Sequence, residues 1–117
     1  MLDLKQLLLL ICDNKTDIET NLILDEGCVI HTVDPKPLVK VLNYVLNFLA
    51  GLTDQPLQIS LDLHEKSCTM GLMALSAARD IPQLSENVAA TLADYRATVE
   101  TIHEKGRYFL VKVVFSK

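Results

Sequence analysis

Three histidines are the side chains in this sequence best suited to phosphotransfer or metal chemistry: His31, His64 and His103. Phosphotransfer needs an exposed imidazole beside acidic or polar helpers, and only His103 falls on a predicted helix, near its C-terminal end. The carbonyl groups exposed at a helix end stabilise a protonated imidazole. The position therefore favours a solvated helix-end residue over a phospho-acceptor, and a histidine phosphotransfer protein is an alternative.

The other titratable side chains do not form a recognisable reactive set. Asp62 and His64 share one strand face while Glu65 lies in the following turn, which is a weak pattern for metal binding. His31 is expected in the middle of a strand, in a structural role. Since no nucleophile, base and orienting group are marked together, we predict no catalytic residue, no metal site and no cofactor, and we favour a protein that is not an enzyme. A site assembled from dispersed residues stays open.

The cysteines Cys12, Cys28 and Cys68 are odd in number and widely separated. They form no CxxC pair, so the pattern favours neither a disulfide framework nor a zinc site. Free cysteine behaves as a small apolar residue and is often buried. We therefore expect all three in the core.

Length, composition and charge bound the class of protein. The 117 residues are half hydrophobic and carry a net charge of −4. This length predicts a single domain, 1–117, with one core. An acidic chain lacks the basic surface that nucleic acid requires, and the longest aliphatic run, Leu7 to Ile11, is too short for a bilayer. We expect a cytoplasmic protein with no nucleic-acid or membrane partner.

The apolar spacing predicts the elements that carry these residues. A helix is expected over Asp3 to Cys12, a hairpin from Ile18 to Leu24 and Cys28 to Val33, and a helix from Asp34-Pro35 to Gly51. The later segments are two strands, 57–63 and 69–75, then a helix of about five turns from Ser85 to Gly106 and a last strand over 107–115.

This order predicts an α+β fold, a two-layer α/β sandwich in which a mixed sheet is covered by helices on one face. A second interpretation is also open. Residues 28–115 read strand, helix, strand, strand, helix, strand, which is the order of a ferredoxin-like domain, a small regulatory or assembly module. That fold would leave residues 1–27 as an appendage.

Two segments carry a resemblance to a known family. Leu2 to Leu8 resembles the "dL-x-x-LL" helix that leads into histidine-kinase-like ATPase domains, the GHKL or Bergerat fold. Asp34 to Leu42 looks like the "D-P-x-x-L-x-x-V-L" that opens the N-box helix of that family. The remaining predicted elements fall in the family's order.

The resemblance implies an ATP site whose residues are missing here. The N-box helix continues "N-L-L-x-N-A", and its second asparagine faces the triphosphate and helps to hold magnesium. In the register set by Asp34, the two asparagines fall on Tyr44 and Phe48, and the alanine falls on Leu49. Asn43 and Asn47 lie one position early, about 100° around the helix.

The glycine motifs of the family are missing as well. After the central strand the family has "D-x-G-x-G", whereas Ser76 to Pro82 has no such pattern. A phosphate-binding lid needs clustered glycines, and the four glycines of this chain are isolated from one another: Gly27, Gly51, Gly71 and Gly106. The family's two-strand ending also reads as one strand here. ATP binding in the family's manner is not expected.

Together these observations predict a degenerate histidine-kinase-like protein that acts in signal transduction as a non-catalytic, protein-binding module. Family members without ATP chemistry keep the fold as a docking surface for a response-regulator receiver domain or for a second copy in a dimer. The residues expected to bind the partner are Tyr44, Asn47 and Phe48, together with the first helix. For Phe48, core packing is the competing interpretation.

Overall fold

Residues 1–32 and 34–116 are described by a computed structural model. Within them, seven strands and three helices follow one another along the chain. They are β1 (Leu2–Asp3), α1 (Leu4–Asp13), β2 (Thr20–Leu24), β3 (Val29–Ile30), α2 (Lys36–Ala50), β4 (Leu57–Leu63), β5 (Ser67–Leu75), α3 (Glu86–Ala93), β6 (Ala97–Glu104) and β7 (Tyr108–Ser116).

The first two helices begin where the sequence predicts. The Asp3 carboxylate accepts a hydrogen bond from the amide of Lys5 at 3.0 Å and so caps α1. The Asp34 carboxylate accepts from the amide of Lys36, also at 3.0 Å, at the start of α2. These bonds satisfy amide groups that have no partner within the helix.

Both helices bury the apolar stripe read from the sequence, which confirms these two predictions. The buried residues of α1 and α2 are Leu4, Leu7, Leu8, Ile11, Leu38, Val41, Leu42, Val45, Leu46 and Leu49.

The main sheet has five strands in the order β2-β4-β5-β7-β6. β2 runs parallel to β4, and the other neighbours are antiparallel. Paired residues such as Ile59, Leu72 and Val111 are at most 2% exposed and face the helices. The sheet is therefore mixed, and its apolar face is covered by the helix layer, as the two-layer α+β prediction requires.

The predicted hairpin over 18–33 is wrong. Leu22 pairs in parallel with Ile59 of β4, whereas β3 leaves the main sheet and pairs with β1, where Ile30 lies opposite Leu2. Pairing with β4 adds β2 to a sheet that already has a buried face, and an isolated hairpin would lack that support. Val33, the last residue of the predicted second strand, lies outside the described residues.

The predicted helix from Ser85 to Gly106 is right at its start, where Ser85 caps α3, and wrong beyond Ala93. α3 ends at Ala93, Arg96 takes a left-handed backbone conformation with φ 56°, and β6 follows at once. β6 pairs with β7 along its whole length, and Gly106 lies in the turn between them. The two-strand ending, read from the sequence as one strand, is therefore present.

The strand order tests the ferredoxin-like interpretation. β2 belongs to the main sheet, so the ferredoxin-like interpretation, which leaves residues 1–27 as an appendage, is wrong. In the described part of the chain, no helix is both long and apolar enough to cross a membrane.

Candidate binding site between the second and third helices

α2 and α3 lie side by side and run in opposite directions. The middle of α2, at Tyr44, meets Ser85 at the start of α3. The start of α2, at Leu38, meets Tyr95 just beyond the end of α3. Two tyrosines therefore join the helices, one near each end of α3.

The first contact fixes the start of α3. The Tyr44 hydroxyl oxygen accepts a hydrogen bond from the amide of Ser85 at 3.1 Å. The Ser85 hydroxyl in turn accepts from the amide of Asn87 at 3.3 Å and caps α3. Although its hydroxyl is engaged, the Tyr44 side chain is 39% exposed. This part of α2 is thus both a structural contact and an accessible surface.

The second contact is buried. The Tyr95 hydroxyl donates to the carbonyl oxygen of Asp34 at 2.7 Å and accepts from the amide of Leu38 at 3.1 Å. In the sequence, Tyr95 is one residue within the segment predicted as a long helix, Ser85 to Gly106. Its hydrogen bonds join residues about 60 positions apart in the chain, so no local sequence pattern predicts them.

Phe48 continues the aromatic contacts from α2 to the sheet. It is half-buried, with ring centroids 6.3 Å from Tyr44 and 6.0 Å from Phe109 on β7. These spacings are typical of favourable aromatic pairs. Phe48 therefore has a packing role, the competing interpretation raised from the sequence.

Asn47 points elsewhere. Its side-chain oxygen accepts a hydrogen bond from the ammonium group of Lys15 at 3.1 Å, beyond the end of α1. The structure therefore brings Tyr44 and Phe48 together and leaves Asn47 on another, exposed side of α2. The assignment of all three to partner binding stays a prediction.

A groove of about 390 Å³ lies between α2 and α3. Its floor contains Val41 and Val88, which are 8% and 2% exposed. Lys40 and Tyr44 of α2 stand on one side, with Thr91 of α3 on the other. An apolar floor with a polar rim is the usual composition of a binding site.

A second cavity, of about 460 Å³, lies between the segment 81–86, α3 and β6. His103 lines it, half-buried, with Nε2 3.2 Å from the carbonyl oxygen of Ala78 and its ring edge-on to Phe109. The prediction of His103 as a solvated helix-end residue is wrong, because residue 103 belongs to β6 and faces the helix layer. Its contacts tie the loop after β5 to the edge strand.

The remaining candidate residues lie apart from one another. His31 and His64 are exposed, and His31 lies just beyond β3 rather than within a strand. Among residues 1–32 and 34–116, no group of three or more His, Cys, Asp or Glu side chains is placed to hold a metal.

The cysteines follow the sequence prediction in two of three cases. Cys28 and Cys68 are fully buried, whereas Cys12 is half-buried. Burial raises the pKa of the Cys12 thiol, and the nearby Asp13 charge acts in the same direction. A hydrogen bond with the Thr20 side chain and the charge of Lys15 oppose this shift.

Comparison with known proteins identifies the fold. No protein-family model matches the sequence, and no curated protein matches it either. Solved structures do. The histidine kinase domain of the Escherichia coli osmosensor EnvZ superposes with a TM-score of 0.79 at 9% identity, covering 98% of this chain and 86% of that one.

Two other solved structures agree. The Acinetobacter baumannii histidine kinase AdeS gives a TM-score of 0.76 at 12% identity, with 97% of this chain and 64% of that chain covered. The mycobacterial sensor histidine kinase MprB gives 0.73 at 10% identity, with 98% and 95% covered. The chain has the fold of histidine-kinase ATPase domains, and it spans less than two thirds of the AdeS chain.

Proposed function

We propose that this chain is a non-catalytic relative of the histidine-kinase ATPase domain that acts in signal transduction by binding a protein partner. One observation carries the proposal. The two positions of α2 where the resemblance implies asparagines hold Tyr44 and Phe48, and both side chains are engaged in packing and hydrogen bonding within the chain.

The chemistry of these side chains does not suit a magnesium ion held in the family's manner. Magnesium prefers oxygen ligands in octahedral geometry. Phe48 offers no oxygen, and its ring lies against Phe109. The Tyr44 hydroxyl, a neutral oxygen, already accepts a hydrogen bond from Ser85. The residues at the two asparagine positions therefore support the loss of this ion.

The segment after β5 supports the same conclusion. It lacks the Asp-x-Gly-x-Gly motif, and its first residue is Ser76, which is buried. The Ser76 hydroxyl donates to the carbonyl oxygen of Leu52 at 2.8 Å and accepts from the amide of Ala78 at 3.1 Å. Together with the bond between Ala78 and His103, these contacts pin the chain where the family would contact adenine.

The proposed partner is a response-regulator receiver domain or a second copy of this chain. We assign to it the exposed positions of α2, Tyr44 beside α3 and Asn47 beside Lys15. Tyrosine combines a large apolar area with little side-chain entropy and is enriched at protein interfaces. A surface of this kind suits recognition without a reaction.

A magnesium-ATP titration tests the loss of nucleotide chemistry. We expect no binding in the micromolar range by calorimetry and no shift of the Tyr44, Ser85 or Phe109 amide signals in NMR spectra. Micromolar, magnesium-dependent binding that shifts these signals would contradict the proposal.

The partner is tested separately, by sedimentation equilibrium of the chain alone and by NMR titration with a receiver domain encoded in the same gene neighbourhood. Tyr44→Ser should weaken whichever association is found, by about tenfold or more for an interface hot spot. The control is Ile23→Ser, which changes an apolar side chain that is 77% exposed on β2. If neither association occurs, the protein-binding role is wrong.

A further inference from the structure

We infer that the groove between α2 and α3 binds an acidic amphipathic helix presented by a protein partner. This inference rests on the proposed protein-binding function and specifies the chemistry of the partner. It depends on three properties of the groove: the spacing of its walls, its fixed width and its charge.

The spacing of the walls suits a helix. Pro37, Lys40, Val41 and Tyr44 stand at i, i+3, i+4 and i+7 along α2, so they form one continuous stripe about 10 Å long. The facing wall of α3 contains Asn87, Val88 and Thr91. A groove between two helices with an apolar floor is a common receptor for an amphipathic helix, whose anchors recur every three or four residues.

The width of the groove is set by hydrogen bonds at its two ends. Tyr44 holds the start of α3 through the amide of Ser85, and Tyr95 holds the start of α2 through Asp34 and Leu38. A groove that is already formed costs less conformational entropy on binding than one that must open. A partner would therefore contact Tyr44, Thr91 and the small exposed part of Val41 without rearrangement of the helices, while Val88 stays buried beneath them.

The charge of the groove selects an acidic partner. α2 contains two lysines and no aspartate or glutamate. Lys40 lines the groove, and Lys36 lies one turn earlier, at the start of the helix. Neither lysine forms an ion pair with any residue in the ranges 1–32 and 34–116. Three acidic residues lie at the ends of these helices: Glu86 and Asp94 flank α3, and Asp34 precedes α2, where its carboxylate accepts from the amide of Lys36. None of the three lines the groove.

This local charge contrasts with the chain as a whole, whose net charge is −4. An acidic partner would be repelled by most of the surface and attracted to this part of α2, so charge would guide it to the groove. Carboxylates beside the anchor residues of the partner would then lie near Lys40, with Lys36 one helical turn away.

The experiment uses designed peptides as probes, each about 18 residues long, or about five helical turns. The first peptide carries leucines at i, i+3, i+4 and i+7 and glutamates on its other face. The second has lysines in place of the glutamates. The third has the composition of the first with its leucines scattered. Binding is followed by NMR titration of the full chain.

We expect the first peptide to bind and to shift the signals of Lys40, Tyr44, Val88 and Thr91, with little effect from the other two. Lys36→Glu with Lys40→Glu should weaken binding by about tenfold or more, since each 1.4 kcal/mol corresponds to tenfold. The matched control, Lys66→Glu with Lys105→Glu, makes the same charge change at two exposed positions in turns of the sheet and should bind as the wild type does.

A second variant tests shape without a change of charge. Thr91→Trp places a large ring in the groove and should abolish binding, and the dispersion of its NMR spectrum shows whether the chain remains folded. Four outcomes would each overturn the inference. The first peptide does not bind, the acidic and basic peptides bind equally, the shifted signals map to the sheet, or the groove signals move only with protein concentration.

The same samples separate this inference from the function on which it rests. If no peptide binds and magnesium-ATP does not bind either, the groove inference fails while the loss of ATP chemistry stands. If magnesium-ATP binds in the micromolar range, the proposed function fails whatever the peptides do.

Discussion

The hydroxyl group of Tyr95 lies 2.7 Å from the carbonyl oxygen of Asp34, to which it donates its hydrogen. The Tyr95 hydroxyl oxygen in turn accepts a hydrogen bond from the amide of Leu38 at 3.1 Å. One side chain from the far end of α3 thus satisfies two backbone groups where α2 begins. Buried backbone groups that lose such partners are costly.

Tyr95→Phe should therefore lower the free energy of unfolding by about 2 kcal/mol, because it removes both hydrogen bonds and leaves the Leu38 amide buried without this acceptor. Urea denaturation followed by circular dichroism measures the change. Tyr108→Phe is the control, because the Tyr108 hydroxyl makes no hydrogen bond with the described residues, and a change of less than about 0.5 kcal/mol is expected. Equal effects of the two substitutions would contradict the role of Tyr95.

Two leucines of α1 provide a matched pair for the core. Leu8 is fully buried and Leu10 is 61% exposed. Leu8→Ala should cost about 2–5 kcal/mol of unfolding free energy, since it removes buried apolar area and leaves a cavity. Leu10→Ala should change it by less than about 0.5 kcal/mol. Similar losses from both variants would mean that α1 packs differently.

Gly106 makes the turn between β6 and β7 with φ +78°, and a β-carbon there would meet nothing within 4 Å. Gly106→Ala should cost about 1–2 kcal/mol, all of it from the left-handed backbone conformation. Gly51→Ala, at a right-handed position with φ −72°, should be neutral or stabilising by up to about 1 kcal/mol. Thermal and urea denaturation of both variants check this, and a neutral Gly106→Ala would argue against the hairpin.

The Cys12 thiol should react slowly with iodoacetamide near pH 8, because burial raises its pKa and the thiolate is the reactive form. The pH at which its rate is half-maximal should lie above that of the same residue in the urea-unfolded chain. Thr20→Val should move this midpoint higher still, since the Thr20 hydrogen bond lowers the pKa.

Mass spectrometry of the labelled peptides assigns the modified cysteine. Thr98→Val, at an exposed position on β6, is the control and should leave the midpoint unchanged. A midpoint at or below the unfolded value would show that the thiol is not shielded as described.

The sequence predicts well those elements whose apolar period is clean and whose partners are close in the chain. The stripe from Leu38 to Leu49 and the alternation over 57–63 each have one period and one buried face. Capping by Asp3 and Asp34 is a local property, so the sequence alone predicts where α1 and α2 begin.

The failures have two physical causes. Over 85–106, Val99 and Ile102 have helical spacing from Val88, yet they lie on opposite faces of β6. The end of this segment is rich in β-branched residues, which favour a strand, and its pairing with β7 prevails over the helical spacing. Over 18–33, the Asp25-Glu26-Gly27 turn predicted a hairpin. Instead, the amide of Asp25 donates a hydrogen bond to the carbonyl oxygen of Leu61 at 2.8 Å, which extends the parallel pairing of β2 with β4.

The candidate site shows the same division. The register from Asp34 was sufficient to place Tyr44 and Phe48 on neighbouring turns of α2, and the structure has them in aromatic contact. The contacts of Tyr44 with Ser85 and of Phe48 with Phe109 join segments that are distant in sequence. So does the hydrogen bond between Asn47 and Lys15. No local pattern carries such contacts.

The parallel pairing of β2 with β4 also bears on the order in which the protein folds. β4 with β5, and β6 with β7, are joined by short turns, whereas β2 reaches β4 only after α2 has crossed between them. Contacts across long loops form late, because loop closure must precede them. β2 is in addition an edge strand with one neighbour, so we expect it to be the last strand to join the sheet and the first to detach from it.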